Sequence, residues 1–206
     1  MPQTFQLIIS GQVQGVGFRP FVYQLARKLD LKGSVCNNEN GVLILINASR
    51  ERAVEFLNAV LEKAPEASIV QSHSILETDQ LQFDDFQITT SKTLHQIDIP
   101  LTPDFAICES CKTEIRDTSD SRFGYPFTTC TNCGPRYAIT TKFPFEREHT
   151  TVASFQMCAS CQEEYSNPAD RRFHSQTNSC AECGIRLWLT SASGEPVSVV
   201  RSELLK

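Results

Sequence analysis

Residues 11–20 read GQVQGVGFRP, and this stretch connects an apolar run to a helical pattern. It contains three glycines and one arginine but no acidic residue. The run that leads into it, FQLIISGQV, is rich in β-branched and aromatic residues and predicts a strand. Beyond it, Phe21, Leu25 and Leu29 fall at helical spacing, which predicts an amphipathic helix over residues 20–31. The stretch is therefore a strand-to-helix loop.

The order of the elements around this loop predicts the fold of residues 1–91. A hairpin is expected over 33–48, and a second amphipathic helix over 50–63. Strands follow at about 67–77 and 84–90. The order β-α-β-β-α-β is that of the ferredoxin-like split βαβ arrangement, which is an α+β fold. We therefore predict a two-layer sandwich, an antiparallel sheet with both helices on one face.

Composition restricts the class of protein and its partners. The chain has 206 residues and a net charge of −5, which argues against nucleic acid as a partner. No apolar run is long enough to span a membrane, and the first residues lack a secretory signal. We therefore predict a cytoplasmic protein without a membrane partner. In that compartment nine cysteines are more typical of metal ligands than of disulfides.

The cysteines are distributed unevenly, and eight of them form four C-x-x-C pairs in two repeats. The repeats cover about 105–136 and 155–186, and a constant offset of 50 residues relates them. Each repeat offers the four thiolates of a structural zinc site, which predicts two structural Zn²⁺ ions. The predicted ligands are Cys108, Cys111, Cys130, Cys133, Cys158, Cys161, Cys180 and Cys183. Disulfides and redox dithiols are the alternatives, and pairing across the repeats stays open.

These repeats divide the chain. Residues 1–91 form the first predicted domain, 92–104 a linker, and 105–187 a tandem zinc-finger domain. A unit this small cannot build much core, so metal must contribute to its folding. His174 stands where the first repeat has Gly124, and we expect a solvated or locally hydrogen-bonded side chain there rather than a further ligand.

The loop chemistry alone leaves two interpretations open. Backbone N–H groups at a helix start, together with the fork of Arg19, suit an anion such as phosphate. A plain turn with a surface arginine fits the composition equally well. On the following strand, Asn37 is either a functional residue or the start of a hairpin turn. Its neighbour Cys36 points to the opposite face and is expected to be a buried thiol.

The loop GQVQGVGFRPFVYQLA and the later GSVCNNENGVLI resemble the acylphosphatase family. That family carries a G-x-V-Q-G-V-x-F-R loop and a G-x-V-x-N strand, found here at residues 11–19 and 33–37. The resemblance covers about residues 4–91. It implies hydrolysis of acyl phosphates with no metal in the site, and it assigns Arg19 and Asn37 as catalytic, with Asn37 orienting the attacking water. The implied phosphate-binding residues, mainly through their backbone, are Gln14, Gly15, Val16, Gly17, Phe18 and Arg19.

Together the two units resemble the N-terminal part of the HypF carbamoyltransferases, which serve [NiFe]-hydrogenase maturation. Segments such as YPFTTCTNCGPR and RRFHSQTNSC carry this resemblance, which departs at Ile185, where a proline like Pro135 is usual. It implies hydrolysis of carbamoyl phosphate to carbamate and phosphate. It places ATP in domains missing from this chain, with residues 188–206 as the start of one, and it implies a HypE-type acceptor protein. The alternative is a non-catalytic, zinc-stabilised module that binds an anion or another protein.

Overall fold

The structure is a computed structural model that describes residues 3–90 and 102–197. The predicted order of strands and helices in the first unit is confirmed, with α1 beginning two residues earlier than expected. Its elements are β1 (Gln3–Gln12), α1 (Phe18–Lys28), β2 (Lys32–Asn38), β3 (Gly41–Ala48), α2 (Arg50–Glu62), β4 (Ile69–Thr78) and β5 (Phe86–Ile88). No helix within the described ranges combines the length and the apolar content that a bilayer crossing requires.

The five strands of the described first unit form one sheet in the order β4-β1-β3-β2-β5. Three of the pairings are antiparallel, but β5 runs parallel to β2, with Val35 opposite Ile88. The sheet is therefore mixed, and the prediction of an antiparallel sheet is wrong at this edge. The reason is that the chain crosses from one edge of the sheet to the other between β4 and β5, and no tight hairpin fixes the direction of the last strand.

The core of the first unit lies between the sheet and its two helices. Phe5, Leu7 and Ile9 of β1 are fully buried at alternate positions, as expected for a strand with one covered face. Register places Asn37 opposite Val42 and Val42 opposite Ile9, so Asn37 belongs to this same helix-covered face. The expected burial of Cys36 is confirmed, on the other face of the sheet.

The second unit consists of short helices and turns around the cysteine pairs. Its helices α3 (Glu109–Arg116) and α4 (Ala159–Ser166) each begin directly after the first cysteine of a repeat. Single 3₁₀ turns follow at Thr131–Cys133, Tyr137–Ile139, Arg147–His149 and Thr151–Ser154. A two-stranded ribbon, β6 (Leu189–Thr190) and β7 (Pro196–Val197), ends the described part.

An arginine of each finger repeat binds a glutamate of the other repeat. Arg122 of the first donates to both carboxylate oxygens of Glu164 in the second, at 2.8 and 2.6 Å. Fifty residues further on, Arg172 binds Glu114 of the first repeat in the same way. Each arginine also donates its Nε to a backbone carbonyl of the other repeat. Burial alone would raise the pKa of Glu114, but hydrogen bonds from Arg172 and Arg171 lower it to about 2. The carboxylate therefore stays charged, and the repeats hold each other together.

Candidate active site

The loop between β1 and α1 presents a helix start without a side-chain cap. Gly17 is the N-cap residue in the left-handed region, with φ 75°, and Gly15 also has a positive φ of 74°. In the described chain, the backbone N–H groups of residues 15–19 make no hydrogen bond to a protein acceptor. Unpaired N–H groups at the positive end of a helix dipole are suited to bind an anion.

Arg19 lies in the first turn of α1 and is buried, with 7% of its surface exposed. Its Nη1 donates to Glu146 Oε1 at 2.5 Å, and its Nη2 donates to the carbonyl of Phe145 at 3.3 Å. Both acceptors belong to the segment between the two fingers, so the alternative of a surface arginine is wrong. The finger unit covers this side chain.

Asn37 is 1% exposed, and neither its amide nitrogen nor its amide oxygen has a hydrogen-bond partner among the described residues. Leaving a buried polar group unpaired costs about 1–3 kcal/mol, so such a group in a native structure indicates a bound water or ligand. The hairpin role falls to Asn38, whose side-chain oxygen accepts from the backbone N–H of Asn40 at 3.0 Å.

A small cavity of about 30 Å³ joins these groups. Four of the six predicted phosphate-binding residues, namely Gly15, Gly17, Phe18 and Arg19, line it together with Asn37. The side chains of the other two are occupied elsewhere. Gln14 donates to the carbonyls of Asn38 and Gly41 at 2.9 and 2.8 Å, which ties the loop to the hairpin, and Val16 is part of the core.

The finger unit supplies the other wall of this cavity, which sequence reasoning missed. A Cβ built on Gly17 would lie 3.1 Å from Thr131, and one built on Gly15 would lie 3.0 Å from Pro135. The loop thus packs against a turn of the first finger so closely that a side chain would not fit without displacement. Residues of both fingers and of the segment between them also line the cavity: Cys130, Thr131, Gly134, Phe145, His174, Ser175, Gln176 and Thr177.

His174 lies at the edge of the cavity and is not a member of either cysteine cluster. Its φ of 52° matches the 63° of Gly124 at the same place in the first repeat, which explains why glycine is an equivalent residue there. The expectation that it is not a further ligand agrees with this placement, but the half-buried ring packs on Phe173 and Tyr165 and is not fully solvated. Burial, with the charge of Arg19 nearby, lowers the pKa of His174 to about 4, and the imidazole is neutral near neutral pH.

Eight of the nine cysteines of the described chain form two groups of four, and the sulfur atoms of each group lie within 4.8 Å of one another. The groups are Cys108, Cys111, Cys130 and Cys133, and Cys158, Cys161, Cys180 and Cys183. Each group lies within one repeat, which rules out crossed pairing. Neighbouring sulfurs are 3.6 to 3.8 Å apart. A tetrahedron with Zn–S bonds of about 2.3 Å has edges of about 3.8 Å, so both groups fit zinc.

Cationic side chains stand beside both groups of thiols. Arg171 Nη1 is 3.0 Å from Cys111 Sγ, and Arg122 Nη2 is 3.4 Å from Cys161 Sγ. Four thiolates around one zinc ion carry a net negative charge, which these guanidinium groups offset. Arg172 Nη2 also lies 3.9 Å from Cys111 Sγ, so Arg122 and Arg172 each contact both the carboxylate and a cysteine sulfur of the other repeat.

Comparison with known proteins agrees with both units. The acylphosphatase family model matches residues 5–88, and the HypF finger model matches residues 107–140 and 157–190. An acylphosphatase of Pseudothermotoga lettingae is 48% identical over 69 residues, which cover 33% of this chain and 78% of that protein. Residues 5–88 and their cavity thus define an acylphosphatase-type domain, and the chain belongs to the acylphosphatase family.

Some relatives match both the acylphosphatase unit and the fingers. A probable carbamoyltransferase HypF of Methanocaldococcus jannaschii is 44% identical over 143 residues, 68% of this chain and 19% of that protein. A crystal structure of full-length HypF in the phosphate- and nucleotide-bound form matches with a TM-score of 0.83 and 40% identity, over 89% of this chain and 24% of that chain. In sequence and in structure, the chain is therefore similar to the acylphosphatase and finger part of the HypF carbamoyltransferases. It spans about a fifth of the length of the curated HypF relatives it matches.

Proposed function

We propose that this chain hydrolyses acyl phosphates, with carbamoyl phosphate as the substrate and carbamate and phosphate as products. The observation that carries the proposal is the unpartnered amide of Asn37 in one cavity with Arg19 and the uncapped helix start. This set of N–H donors and one guanidinium suits an anion rather than a metal ion.

The residues of the site have separate roles in the proposed hydrolysis. The N–H groups of residues 15–19 and the guanidinium of Arg19 hold the phosphoryl oxygens and stabilise the charge of the transition state. The amide oxygen of Asn37 accepts a hydrogen bond from water and aims it at phosphorus. The new bond forms between the water oxygen and phosphorus while the bond from phosphorus to the acyl oxygen breaks. Carbamate leaves with the electron pair, and one water proton passes to solvent.

The two cysteine groups have a structural role in this proposal. Four thiolates fill the coordination sphere of zinc and leave no open position for a substrate, so bound zinc supplies folding free energy. Because the segment that holds Arg19 lies between the fingers, zinc keeps that segment in place.

The chain matches about a fifth of the length of the curated HypF relatives. We place ATP-dependent formation of carbamoyl adenylate and transfer to a HypE-type acceptor in the unmatched part of those relatives, and we place this protein in the cytoplasm. This chain is therefore expected to release phosphate from carbamoyl phosphate but to form no carbamoyl adenylate with ATP.

The deciding experiment measures phosphate release from carbamoyl phosphate and from acetyl phosphate. Arg19→Ala should raise KM strongly, and Asn37→Ala should lower kcat by roughly 100-fold, because it removes the group that positions water. Arg27→Ala and Asn58→Ala, which change exposed residues of the same types on α1 and α2, are the matched controls. Wild-type turnover no faster than the buffer reaction would refute the proposal.

One observation favours the non-catalytic alternative. The cavity of about 30 Å³ has room for about one water, so an acyl phosphate enters only if the covering segment shifts. A module that binds phosphate without turnover would need a smaller shift. Phosphate binding that depends on Arg19, with no hydrolysis by the wild type, would support that module.

A further inference from the structure

The ion pair between Arg19 and Glu146 joins two units of the chain across 127 residues of sequence. Both side chains are shielded, with 8% and 13% of their surfaces exposed. A buried guanidinium without a counter-charge is unfavourable, so this carboxylate stabilises Arg19 in the position seen here.

Arg19 lines two cavities, the small inner one and an outer one of about 330 Å³. The loop glycines and Asn37 line the inner cavity, whereas Glu146 lines the outer one. A phosphate on the loop and the carboxylate of Glu146 would therefore bind different N–H groups of the same guanidinium.

The segment that carries Glu146 is itself firmly attached. The backbone N–H of Arg147 donates to Gln176 Oε1 at 2.8 Å, and its guanidinium donates to the carbonyls of Gln176 and Asn178 at 3.0 and 2.9 Å. On the other side, the carbonyl of Phe145 accepts from Arg19. The second finger thus fixes the acceptors that orient the arginine.

We propose that Glu146 is a positioning residue of the acyl phosphate site, contributed by the finger domain. The proposal rests on the proposed function. Glu146 and the carbonyl of Phe145 hold the Arg19 fork so that its remaining donors face the phosphate. Fixing the guanidinium in advance avoids an ordering cost when substrate binds. The finger domain therefore builds the site as well as covering it.

A carboxylate at an anion site can also compete with the anion for the same donor. A Glu146 that competed with phosphate for Arg19 would weaken phosphate binding. The two roles predict opposite signs. Removal of a positioning residue weakens the binding of phosphate and substrate, whereas removal of a competitor strengthens both.

The test uses this chain, loaded with zinc, as wild type, Glu146→Ala and Glu146→Gln. Glu148→Ala, which removes an exposed carboxylate of the same segment, is the control. Acetyl phosphate is the substrate for KM and kcat, and the Kd of inorganic phosphate is measured by calorimetry. For Glu146→Ala we expect KM and Kd to rise about tenfold, the scale of one charge-assisted hydrogen bond, with kcat changed less than about threefold. Glu146→Gln keeps an acceptor and should raise both by about threefold.

Zinc content and unfolding temperature show whether each variant folds, and if Glu146→Ala does not fold, Glu146→Gln decides the question alone. Unchanged or lower KM and Kd in a folded variant would overturn the proposal while leaving hydrolysis intact. If the wild type binds phosphate without turnover, the proposed function fails and Kd alone decides the role of Glu146. A wild type that neither binds nor hydrolyses refutes both.

Discussion

Asn37→Leu should make the protein more stable and inactive at the same time. Leucine has the same number and branching of side-chain heavy atoms as asparagine, and the substitution removes two buried polar atoms. Neither atom has a partner among the described residues, and Asn37 faces the apolar side chains of the helix-covered face. The polar amide is therefore unfavourable for folding, and the proposed hydrolysis gives a reason to keep it.

The size of the effect follows from these contacts. An unpaired buried polar group costs about 1–3 kcal/mol, and one cavity water that bonds the amide would bring this toward about 1 kcal/mol. For a domain of this size, about 1 kcal/mol shifts the unfolding midpoint by roughly 4–8 °C. We therefore expect Asn37→Leu to unfold at least a few degrees above the wild type.

Calorimetry under matched zinc concentrations measures the midpoint, and hydrogen exchange of the β2 and β3 amides reports the local stability near the site. Asn38→Leu is the matched control. The Asn38 side chain accepts a hydrogen bond from Asn40, so its loss should lower stability by about 0.5–1.5 kcal/mol. A folded Asn37→Leu protein with a midpoint at or below that of the wild type would refute the interpretation of Asn37 as an unsatisfied functional group.

Three further predictions concern the contact between the units. Gly17→Ala should lower the unfolding midpoint and raise KM, because the added Cβ meets Thr131. Gly194→Ala is the control, since Gly194 has a similar φ of 86° but nothing within 4 Å. Equal losses of stability in the two variants would contradict a role for the contact between Gly17 and Thr131. Chelation of zinc should weaken phosphate binding, and added zinc should restore it; a Kd of phosphate that does not change without zinc would disprove the coupling. Because the pKa of His174 is lowered to about 4 from 6.5, the folded protein binds fewer protons than the unfolded chain between these values, and stability should fall as pH drops through this window. The unfolding midpoint of His174→Asn, which keeps a residue that tolerates this φ, should fall less between pH 7 and pH 5; an equal fall would exclude His174 as the cause.

Local patterns were enough to predict most elements of the first unit and the eight clustered cysteines of the second unit, but they left open whether each group of four comes from one repeat. The helical spacing after Pro20 and the alternation in β1 depend on adjacent residues, and these elements appear where the patterns place them. The direction of β5 depends on a crossing over the whole sheet, which three residues do not encode.

The burial of Arg19 also depends on residues far away in the chain, so the sequence did not predict it. Its partner Glu146 is distant in the chain and lies in a segment without a regular period. The exchange of arginines between repeats did leave a signal, because Glu114 and Arg122 recur as Glu164 and Arg172 at the common offset. Charged residues that recur with the cysteines in a duplicated unit are candidates for contacts between its copies.

That exchange makes the finger pair resemble a symmetric homodimer whose two copies have been joined in one polypeptide. Each repeat keeps its own cysteine group but depends on the other for the partner of its arginine. A single repeat released from this arrangement would present an unpaired guanidinium and an unpaired carboxylate at complementary places. Two such copies would satisfy each other, so a single finger expressed alone is expected to self-associate.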